Sequence, residues 1–235
     1  MLFFKRYHQL SKTDIFDGYV DYHSHILPGV DDGVRTMEES LATLDYFEEL
    51  GISKAVLTPH IMADDYDDPK LIEDRFAELT TVYKGGVELS LATEYMLDSK
   101  FLSHLRSGLK TLSDDDVLVE TSYIAPPTNL DDLLYEISLE GYTPTIAHPE
   151  RYQYMLREQY EELKDKGYKL QLNLLSLSGQ YGQRVMENAL YMLKNDMYDI
   201  VGSDLHNLNH FKQQIEKIKL RSKELDSLRK VIDRA

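Results

Sequence analysis

The sequence is informative first through what it lacks. Its 235 residues include no cysteine, which excludes disulfide bonds and every mechanism that attacks through a thiolate. No apolar run approaches the ~20 residues of a membrane-spanning helix. The start, MLFFKRYHQL, has too short an apolar stretch for a secretion signal, whose hydrophobic part spans roughly 7–15 residues. These absences predict a cytoplasmic protein without a membrane span.

A surplus of basic residues is missing as well. The chain has 26 Lys and Arg against 41 Asp and Glu, giving a formal net charge of −15. Such a charge repels nucleic-acid phosphates, so we expect no nucleic-acid partner. The paired glycines of YKGGVE do not form the GxGxxG pattern of a dinucleotide site. A content of 42% hydrophobic residues predicts a globular domain with a sizeable core.

Strand-like segments alternate with helical patterns along most of the chain. Several are short and continuously apolar, such as AVLTP and VLVET, which is typical of parallel strands covered on both faces. The seven candidates are Tyr19–Ser24, Lys54–Pro59, Val87–Tyr95, Asp116–Thr121, Thr143–His148, Lys169–Leu175 and Asp199–Asp204.

The intervening segments have helical periodicity. Thr36 and Glu39 form a candidate capping box, apolar residues follow at helical spacing, and Gly51 ends the pattern. Similar patterns occupy residues 69–83, 129–140, 151–166 and 182–195. Seven strands alternating with helices predict an α/β domain closed like a barrel, with an open doubly wound sheet as the alternative.

Residues 1–18 fit no strand–helix unit. We interpret them as an N-terminal extension that packs on the barrel floor or touches a partner or membrane surface. Residues 19–235 are predicted to form a single domain, in which the tail from Phe211 adds amphipathic helices.

Ionisable side chains stand at the carboxyl ends of six of the seven predicted strands. They are His23, His25, His60, Glu94, Glu120, His148, Asp204 and His206, whereas His8, His104 and His210 lie elsewhere. In a parallel barrel these ends meet at one rim, and alternation along a strand aims His23 and His25 at the same point. One such residue alone is more often structural. Together they predict a site for Zn, Mn or Fe.

The same segments resemble a known family. DYHSHILPGVDDG, LTPH, ATEY, VLVET, TIAHPERY, QLNLLSLSGQYG and VGSDLHN are similar to motifs of the PHP (polymerase and histidinol phosphatase) superfamily. PGVDDG and AHPERY are typical of its bacterial metal-dependent protein tyrosine phosphatases of the CpsB/YwqE type. The resemblance covers about residues 19–210 and implies a distorted TIM-like (β/α)7 barrel, the PHP fold.

The resemblance also implies a centre of three divalent metal ions, Mn or Fe being usual and Zn an option. His23 and His25 would bind the first ion, with Glu94 and Asp204 bridging from it. Glu120 and His148 would complete the second, and His60 and His206 would hold the third. Asp32 of the DDG turn is a further expected ligand, with Asp31 as its rival. Either Asp32 or a neighbouring histidine is the candidate proton donor.

Arg151 matches a phosphate-binding arginine of the family. A second arginine that commonly follows the last motif is missing from DLHNLNHFKQQ, where His210 or Lys212 is the nearest cation. Tyr123, Tyr152 and Tyr181 are candidates for the pocket wall, although packing is the alternative role.

The implied activity is hydrolysis of phosphotyrosine by a metal-activated hydroxide, in the regulation of capsule or exopolysaccharide synthesis. Because cysteine is absent, such an activity requires metals. The implied partner is the C-terminal tail of a membrane-bound bacterial tyrosine kinase. The alternatives are a small-molecule phosphoesterase such as histidinol phosphatase, and a non-catalytic regulatory module. The oligomeric state is not assigned.

Overall fold

A computed structural model describes residues 7–235. Within this range the strands are β1 (Tyr7–Gln9), β2 (Val20–Ser24), β3 (Lys54–Leu57), β4 (His60–Ile61), β5 (Glu88–Leu91), β6 (Glu94–Met96), β7 (Asp116–Glu120), β8 (Thr143–Ile146), β9 (Lys169–Asn173), β10 (Ile200–Gly202) and β11 (Lys219–Arg221). The α-helices are α1 (Met37–Leu50), α2 (Pro69–Val82), α3 (Phe101–Ser107), α4 (Leu130–Leu139), α5 (Arg157–Asp165), α6 (Gln183–Lys194), α7 (Leu208–Ile215) and α8 (Ser222–Arg234).

Strands β2 to β10 form a curled parallel sheet with seven strand positions. One part has the order β10-β9-β8-β7-β6-β4 and the other the order β2-β3-β5. The first and seventh positions meet through a bridge between Ser24 and Leu205. There the His25 amide donates to the Leu205 carbonyl at 2.9 Å, and the Asp204 amide donates to the His23 carbonyl at 2.7 Å. The predicted distorted barrel is confirmed, and the alternative of an open sheet is wrong.

The second and third strand positions are each broken in two, unlike the continuous strands that the sequence predicts. Pro59 lies in the first break, where it has no N–H to donate to a ladder. Pairing resumes beyond it, since the Glu94 amide donates to the Pro59 carbonyl at 3.0 Å. Both breaks end at a residue of the predicted site, His60 in one and Glu94 in the other.

Helix α1 forms as its sequence predicts. The Glu39 amide donates to Thr36 Oγ1 at 3.2 Å, and the Thr36 amide donates to the Glu39 carboxylate at 3.3 Å. Gly51 ends the helix with a φ of 88°, a conformation that glycine adopts without a steric penalty. Ser40 Oγ donates to the Ile26 carbonyl at 2.7 Å, which holds the first turn of α1 beside the carboxyl end of β2.

Two helices differ from the prediction. The pattern over 151–166 becomes α5 only from Arg157, because Pro149–Arg151 form a 3-10 turn and a loop follows. Helix α3 was not predicted, since its seven residues give too few turns for a clear period.

The two ends of the described chain pack together at the barrel. Strand β1 pairs antiparallel with β11, with Tyr7 opposite Arg221, and Leu10, Ile15 and Phe16 lie in the main core. Residues 1–6 of the predicted N-terminal extension lie outside the described residues, so the division at residue 18 stays a prediction. Between Tyr7 and Ala235, no helix has both the length and the apolar character that crossing a membrane requires.

Candidate metal centre

The inner part of the site lies where the first, third and seventh strands end. His23 Nε2 is 3.0 Å from His25 Nε2 and 3.2 Å from Glu94 Oε2. Asp204 Oδ1 lies 3.4 Å from both imidazole nitrogens. All four side chains are buried, so alternation along β2 does bring the two histidines to one point.

Glu94 also joins this group to the second, fourth and fifth strands. Its Oε1 is 3.1 Å from His148 Nε2, and its Oε2 is 3.1 Å from His60 Nδ1. Glu120 Oε1 lies 3.1 Å from the same His60 nitrogen. The carboxylate of Glu94 is therefore at the centre of the cluster.

Asp32 and His206 form its solvent-facing side. Asp32 Oδ1 is 3.3 Å from His206 Nε2 and 3.6 Å from His60 Nε2. The ring of His206 stacks on that of His25 with centroids 4.0 Å apart. The structure thus brings together every metal-type residue that the sequence singled out.

The donor set fits divalent cations. The donors form four overlapping groups, and within each group the donor atoms lie within 4.8 Å of one another. The groups are His25, Asp32, His60 and His206; His23, His25 and Asp204; His23, Glu94 and His148; and His60, Glu94 and Glu120. Imidazole and carboxylate together are ligands that Zn, Mn and Fe accept.

The buried carboxylates of the cluster favour positive charge on the groups around them. Burial disfavours a charged imidazole, yet Glu94 and Asp204 raise the pKa of His23. Burial and His25 oppose the charge of His60, but Glu94 and Glu120 raise its pKa to about 9. Against its own burial, the histidines hold the pKa of Glu94 well below its usual value. Divalent ions would supply the same compensation in competition with protons.

Asp31 and Asp32 take different positions, although the sequence left them as rivals. Asp31 Oδ2 accepts from His25 Nδ1 at 2.7 Å and from the His60 amide at 3.1 Å. A carboxylate that accepts at Nδ1 leaves the Nε2 lone pair of His25 free for a cation. The structure places Asp32, and not Asp31, among the converging donor atoms.

Gln171 has a similar orienting contact that the sequence analysis missed. Its Oε1 accepts from the His148 amide at 3.1 Å and lies 3.2 Å from His23 Nδ1. The atom that accepts from the His148 amide is the carbonyl oxygen of Gln171, which cannot donate. The nearby Nδ1 of His23 must therefore carry the proton, and its Nε2 lone pair faces the cluster. A neutral residue within strand β9 gives no ionisable signal, so sequence reasoning had nothing by which to select it.

The backbone is unusual at several site residues. His148 and Asp204 have positive φ values of 35° and 51°, an uncommon conformation for residues other than glycine. Gly33 and Gly202 lie against the two histidines of β2. A Cβ on Gly33 would collide with His25, and one on Gly202 would collide with His23. Any side chain at these glycines would displace a candidate ligand.

A cavity of about 340 Å³ opens beside the cluster. Its wall includes Arg151, whose Nη1 donates to Asp204 Oδ2 at 2.6 Å. The guanidinium carbon is 4.4 Å from the ring centre of Tyr123 and 4.2 Å from that of Tyr181. Burial opposes the charge of Arg151, but Asp204 raises its pKa, so the cation persists at the cavity.

The remaining predicted residues are divided between cavity and core. Tyr123 and Tyr181 line the cavity, whereas Tyr152 is buried, with its hydroxyl accepting from the Thr121 amide. His210 belongs to the cavity wall, which the sequence did not predict. It follows the seventh strand by several residues, so the strand-end rule excluded it.

Known proteins match this chain over most of its length. The family model described as "Capsular polysaccharide synthesis, CpsB/CapC" matches residues 19–226. The tyrosine-protein phosphatase CpsB of Streptococcus pneumoniae is 31% identical over 209 residues, which cover 81% of this chain and 84% of that protein. The putative tyrosine-protein phosphatase CapC of Staphylococcus aureus is 27% identical over 199 residues, covering 81% and 78%.

Solved structures show the same fold. One from a study of YwqE of Bacillus subtilis and CpsB of Streptococcus pneumoniae, described there as metal-dependent tyrosine phosphatases, superposes with a TM-score of 0.77 at 23% identity and covers 90% of this chain and 86% of that chain. A phosphotriesterase homology protein from Escherichia coli gives a TM-score of 0.54 at 12% identity, covering 89% and 95%. With the family match spanning most of its length, this chain belongs to the CpsB/CapC family of capsular polysaccharide synthesis proteins.

Proposed function

We propose that this protein is a metal-dependent protein-tyrosine phosphatase, a hydrolase of phosphoric monoesters. The observation that carries the proposal is the buried cluster of histidines and carboxylates beside a cavity that presents Arg151. Its relatives CpsB and YwqE are named tyrosine-protein phosphatases, and the chain matches them over most of its length.

The proposed metal ligands are the converging donors. They are His23, His25, Asp32, His60, Glu94, Glu120, His148, Asp204 and His206. The four groups share members, which supports a centre of several neighbouring ions, and we propose three, Mn or Fe, with Zn as an option. Ions bound there would neutralise phosphate charge and make water a stronger nucleophile at neutral pH.

Arg151 is proposed to bind the phosphate of the substrate. A guanidinium has five N–H donors, and the described contact with Asp204 engages one nitrogen. The remaining donors suit the planar, two-point recognition of phosphate oxygens. The rings of Tyr123 and Tyr181 both lie within 4.4 Å of the guanidinium carbon and restrict its position.

Asp32 is proposed to take part in proton transfer to the leaving group. Its hydrogen bond with His206 lowers the pKa of Asp32 to about 2, and its side chain is exposed at the mouth of the cavity. A phenolate leaving group has a free pKa of ~10, so the proton donor needs to give only modest help. Because that pKa leaves Asp32 ionised at neutral pH, its proposed part in proton transfer is to hold the His206 imidazole, 3.3 Å away, as the proton donor.

The shape of the rim supports a protein substrate. The cavity shares Asp32, His206 and Asn207 with a second cleft of about 590 Å³, which lies between the β2–α1 loop and the start of α7. Together they leave room for more than the phosphorylated side chain. A small-molecule phosphoesterase such as histidinol phosphatase usually encloses its substrate, which makes it the weaker reading here.

One comparison of substrates tests the proposal. We expect phosphate release from a phosphotyrosyl peptide to exceed that from a phosphoseryl peptide and from histidinol phosphate, and added manganese to increase it. Iodoacetamide should have no effect, because the chain has no cysteine. Faster turnover of histidinol phosphate than of the phosphotyrosyl peptide would contradict the assignment.

The proposed physiological substrate is the tyrosine-phosphorylated C-terminal tail of a bacterial kinase that acts in capsule or exopolysaccharide synthesis, met in the cytoplasm. The family description, capsular polysaccharide synthesis, supports the pathway. The measurement is loss of phosphotyrosine from that tail when the purified proteins are mixed. A tail that stays phosphorylated while short phosphotyrosyl peptides are cleaved would contradict the partner and leave the activity standing.

A further inference from the structure

Seven large apolar side chains are exposed within residues 7–235. They are Tyr7, Val82, Tyr123, Ile124, Tyr135, Leu139 and Leu156. Three of them lie at the carboxyl edge of the barrel: Tyr123 is 36% exposed, Ile124 is 74% exposed and Leu156 is 61% exposed. By contrast, Val82 and Leu139 end helices that return the chain to the opposite edge.

The three residues come from two neighbouring loops that are bonded together. Strands β7 and β8 are adjacent, and the loops after them carry Ile124 and Leu156 respectively. The Gln153 amide donates to the Tyr123 carbonyl at 2.8 Å, and the hydroxyls of Thr121 and Tyr154 are 2.6 Å apart. The two loops that carry these three apolar residues, which we call the apolar lip, are therefore held side by side.

The two loop segments contain no charged residue of their own, although Arg157 follows Leu156 and Arg184 donates to the Gln153 carbonyl at 2.9 Å. Residues 121–130, TSYIAPPTNL, and residues 152–156, YQYML, contain no Asp, Glu, Lys or Arg in a chain that is 29% charged. Pro126 and Pro127 fix two backbone φ angles just after Ile124. A stiff loop loses little conformational entropy when another chain binds to it, and contiguous exposed apolar residues are typical of interaction sites.

The apolar lip is continuous with the phosphate end of the site. Tyr123 lines the cavity and lies over Arg151, and Ile124 is the next residue along the chain. The rim has a different character at the β4–α2 loop, where Asp64, Asp65, Asp67 and Asp68 surround Tyr66. The ring of Tyr66 stacks on that of His60 with centroids 6.1 Å apart, so this acidic loop also borders the cluster.

We propose that the apolar lip is a docking surface for the polypeptide that carries the phosphotyrosine. An aliphatic or aromatic side chain within a few residues of the phosphotyrosine packs on Ile124 and Leu156. The inference rests on the proposed phosphatase activity and adds a sequence preference to it. Asp67 of the acidic loop is paired with Lys100 at 2.8 Å, but its neighbouring aspartates repel acidic residues of a substrate. The lip is therefore the more favourable path for a phosphopeptide, which is itself anionic.

The test compares substrates with and without a flank. The variants are Ile124→Ser, Leu156→Ser and their combination, with Leu139→Ser as the matched control of an exposed leucine at the other edge. The substrates are 4-nitrophenyl phosphate, a phosphotyrosyl peptide flanked by glycines and the same peptide with leucines on one side or the other.

For the wild-type protein we expect a flanking leucine to lower KM. Each lip substitution should raise KM for the leucine peptide about 10-fold and leave kcat unchanged, because the contact is lost equally from substrate and transition state. Turnover of 4-nitrophenyl phosphate and of the glycine peptide should stay at the wild-type level. The Leu139→Ser protein should behave as the wild type with every substrate.

Equal KM values for leucine and glycine peptides in the wild type and the lip variants would overturn the inference while leaving the phosphatase activity in place. A changed sedimentation coefficient with unchanged peptide kinetics would also overturn it, by assigning the lip to a second copy of the chain. A wild-type protein that cleaves no aryl phosphate would remove the proposed activity itself, and the docking inference with it.

Discussion

Carboxylates have different partners at the two edges of the barrel. At the amino edge, acids meet lysines: Lys54 Nζ is 2.8 Å from Glu88 Oε1, and Lys169 Nζ is 2.7 Å from Asp116 Oδ2. At the carboxyl edge, the acids meet imidazoles. Glu94, for instance, lies within 3.4 Å of nitrogens of four histidines: His23, His25, His60 and His148.

The difference teaches which edge can hold a cation. A lysine keeps its proton at neutral pH and neutralises its carboxylate permanently, so an acid–lysine pair has no need of a further ion. A histidine gives up its proton far more readily than a lysine, and a divalent ion that displaces the proton then takes the lone pair. The same type of acid thus supports the fold at one edge and forms a candidate metal centre at the other.

Metal removal is expected to have the largest effect on this contrast. Dialysis against a strong chelator should lower turnover of 4-nitrophenyl phosphate on the order of 1,000-fold, and manganese or iron should restore it. The melting temperature should fall as well, since ions that bind the folded chain stabilise it by mass action. Steady-state assays, metal analysis by mass spectrometry and thermal unfolding supply the readouts. Full activity in a preparation free of metal would contradict the assignment of the carboxyl edge as a catalytic metal centre.

The second prediction concerns Arg151, the permanent cation at the carboxyl edge. Replacing Arg151 with Ala removes a charged donor from the cavity and should lower kcat/KM for aryl phosphates about 100- to 1,000-fold. Arg151→Lys should recover only part of this, because an ammonium cannot give two parallel hydrogen bonds or stack as a planar group on the rings of Tyr123 and Tyr181.

The matched control for Arg151 is Arg75→Ala, which removes an exposed arginine paired with Glu78 on helix α2. Its kinetics and metal content should equal those of the wild type. If Arg151→Ala loses metal in proportion to activity, the arginine acts by holding Asp204 in place and not by binding phosphate.

The sequence predicted the site better than its surroundings. Strand ends are readable because short, continuously apolar runs stop abruptly, and parallel topology then dictates that the residues at those ends, among them His23, Glu94 and Asp204, converge. Convergence follows from topology alone, so it needed no knowledge of side-chain packing.

Contacts that cross between distant segments were not predictable. Gln171 is neutral and buried in β9, and its role exists only because β2 and the β8 turn come within 3.2 Å of it. The pairing of β1 with β11 joins segments about 210 residues apart through three-residue strands, too short for a periodic signal. The choice between Asp31 and Asp32 likewise depends on which of two adjacent side chains faces the cluster.

Gln171 is a neutral residue at the carboxyl edge that contacts the imidazole of His23 and the backbone amide of His148. Gln171→Leu leaves the His148 amide without its acceptor and His23 Nδ1 without its partner. We expect metal affinity to fall about 10- to 100-fold, and the free energy of unfolding of the metal-free protein to fall by about 1–3 kcal/mol. Calorimetric metal titration and denaturant unfolding separate these two effects.

The matched control is the conservative variant Gln171→Glu, which keeps an acceptor oxygen at both contacts. It should retain metal binding within a few-fold of the wild type. Equal metal affinities in the Leu and Glu variants would show that the acceptor does not orient the ligands.

Lys54 provides the smallest expected effect and the most direct test of the amino edge. Its pair with Glu88 joins the first residues of β3 and β5 in a partly exposed position, where ion pairs contribute about 0–1 kcal/mol. Lys54→Met should therefore lower the free energy of unfolding by no more than about 1 kcal/mol, with kcat, KM and metal content unchanged. Raising the salt concentration should shrink even this difference, because screening weakens the wild-type pair and leaves the variant unaffected. A Lys54→Met protein that lost metal or activity would mean that charge at the amino edge is coupled through β3 to His60, and the two edges would then not be independent.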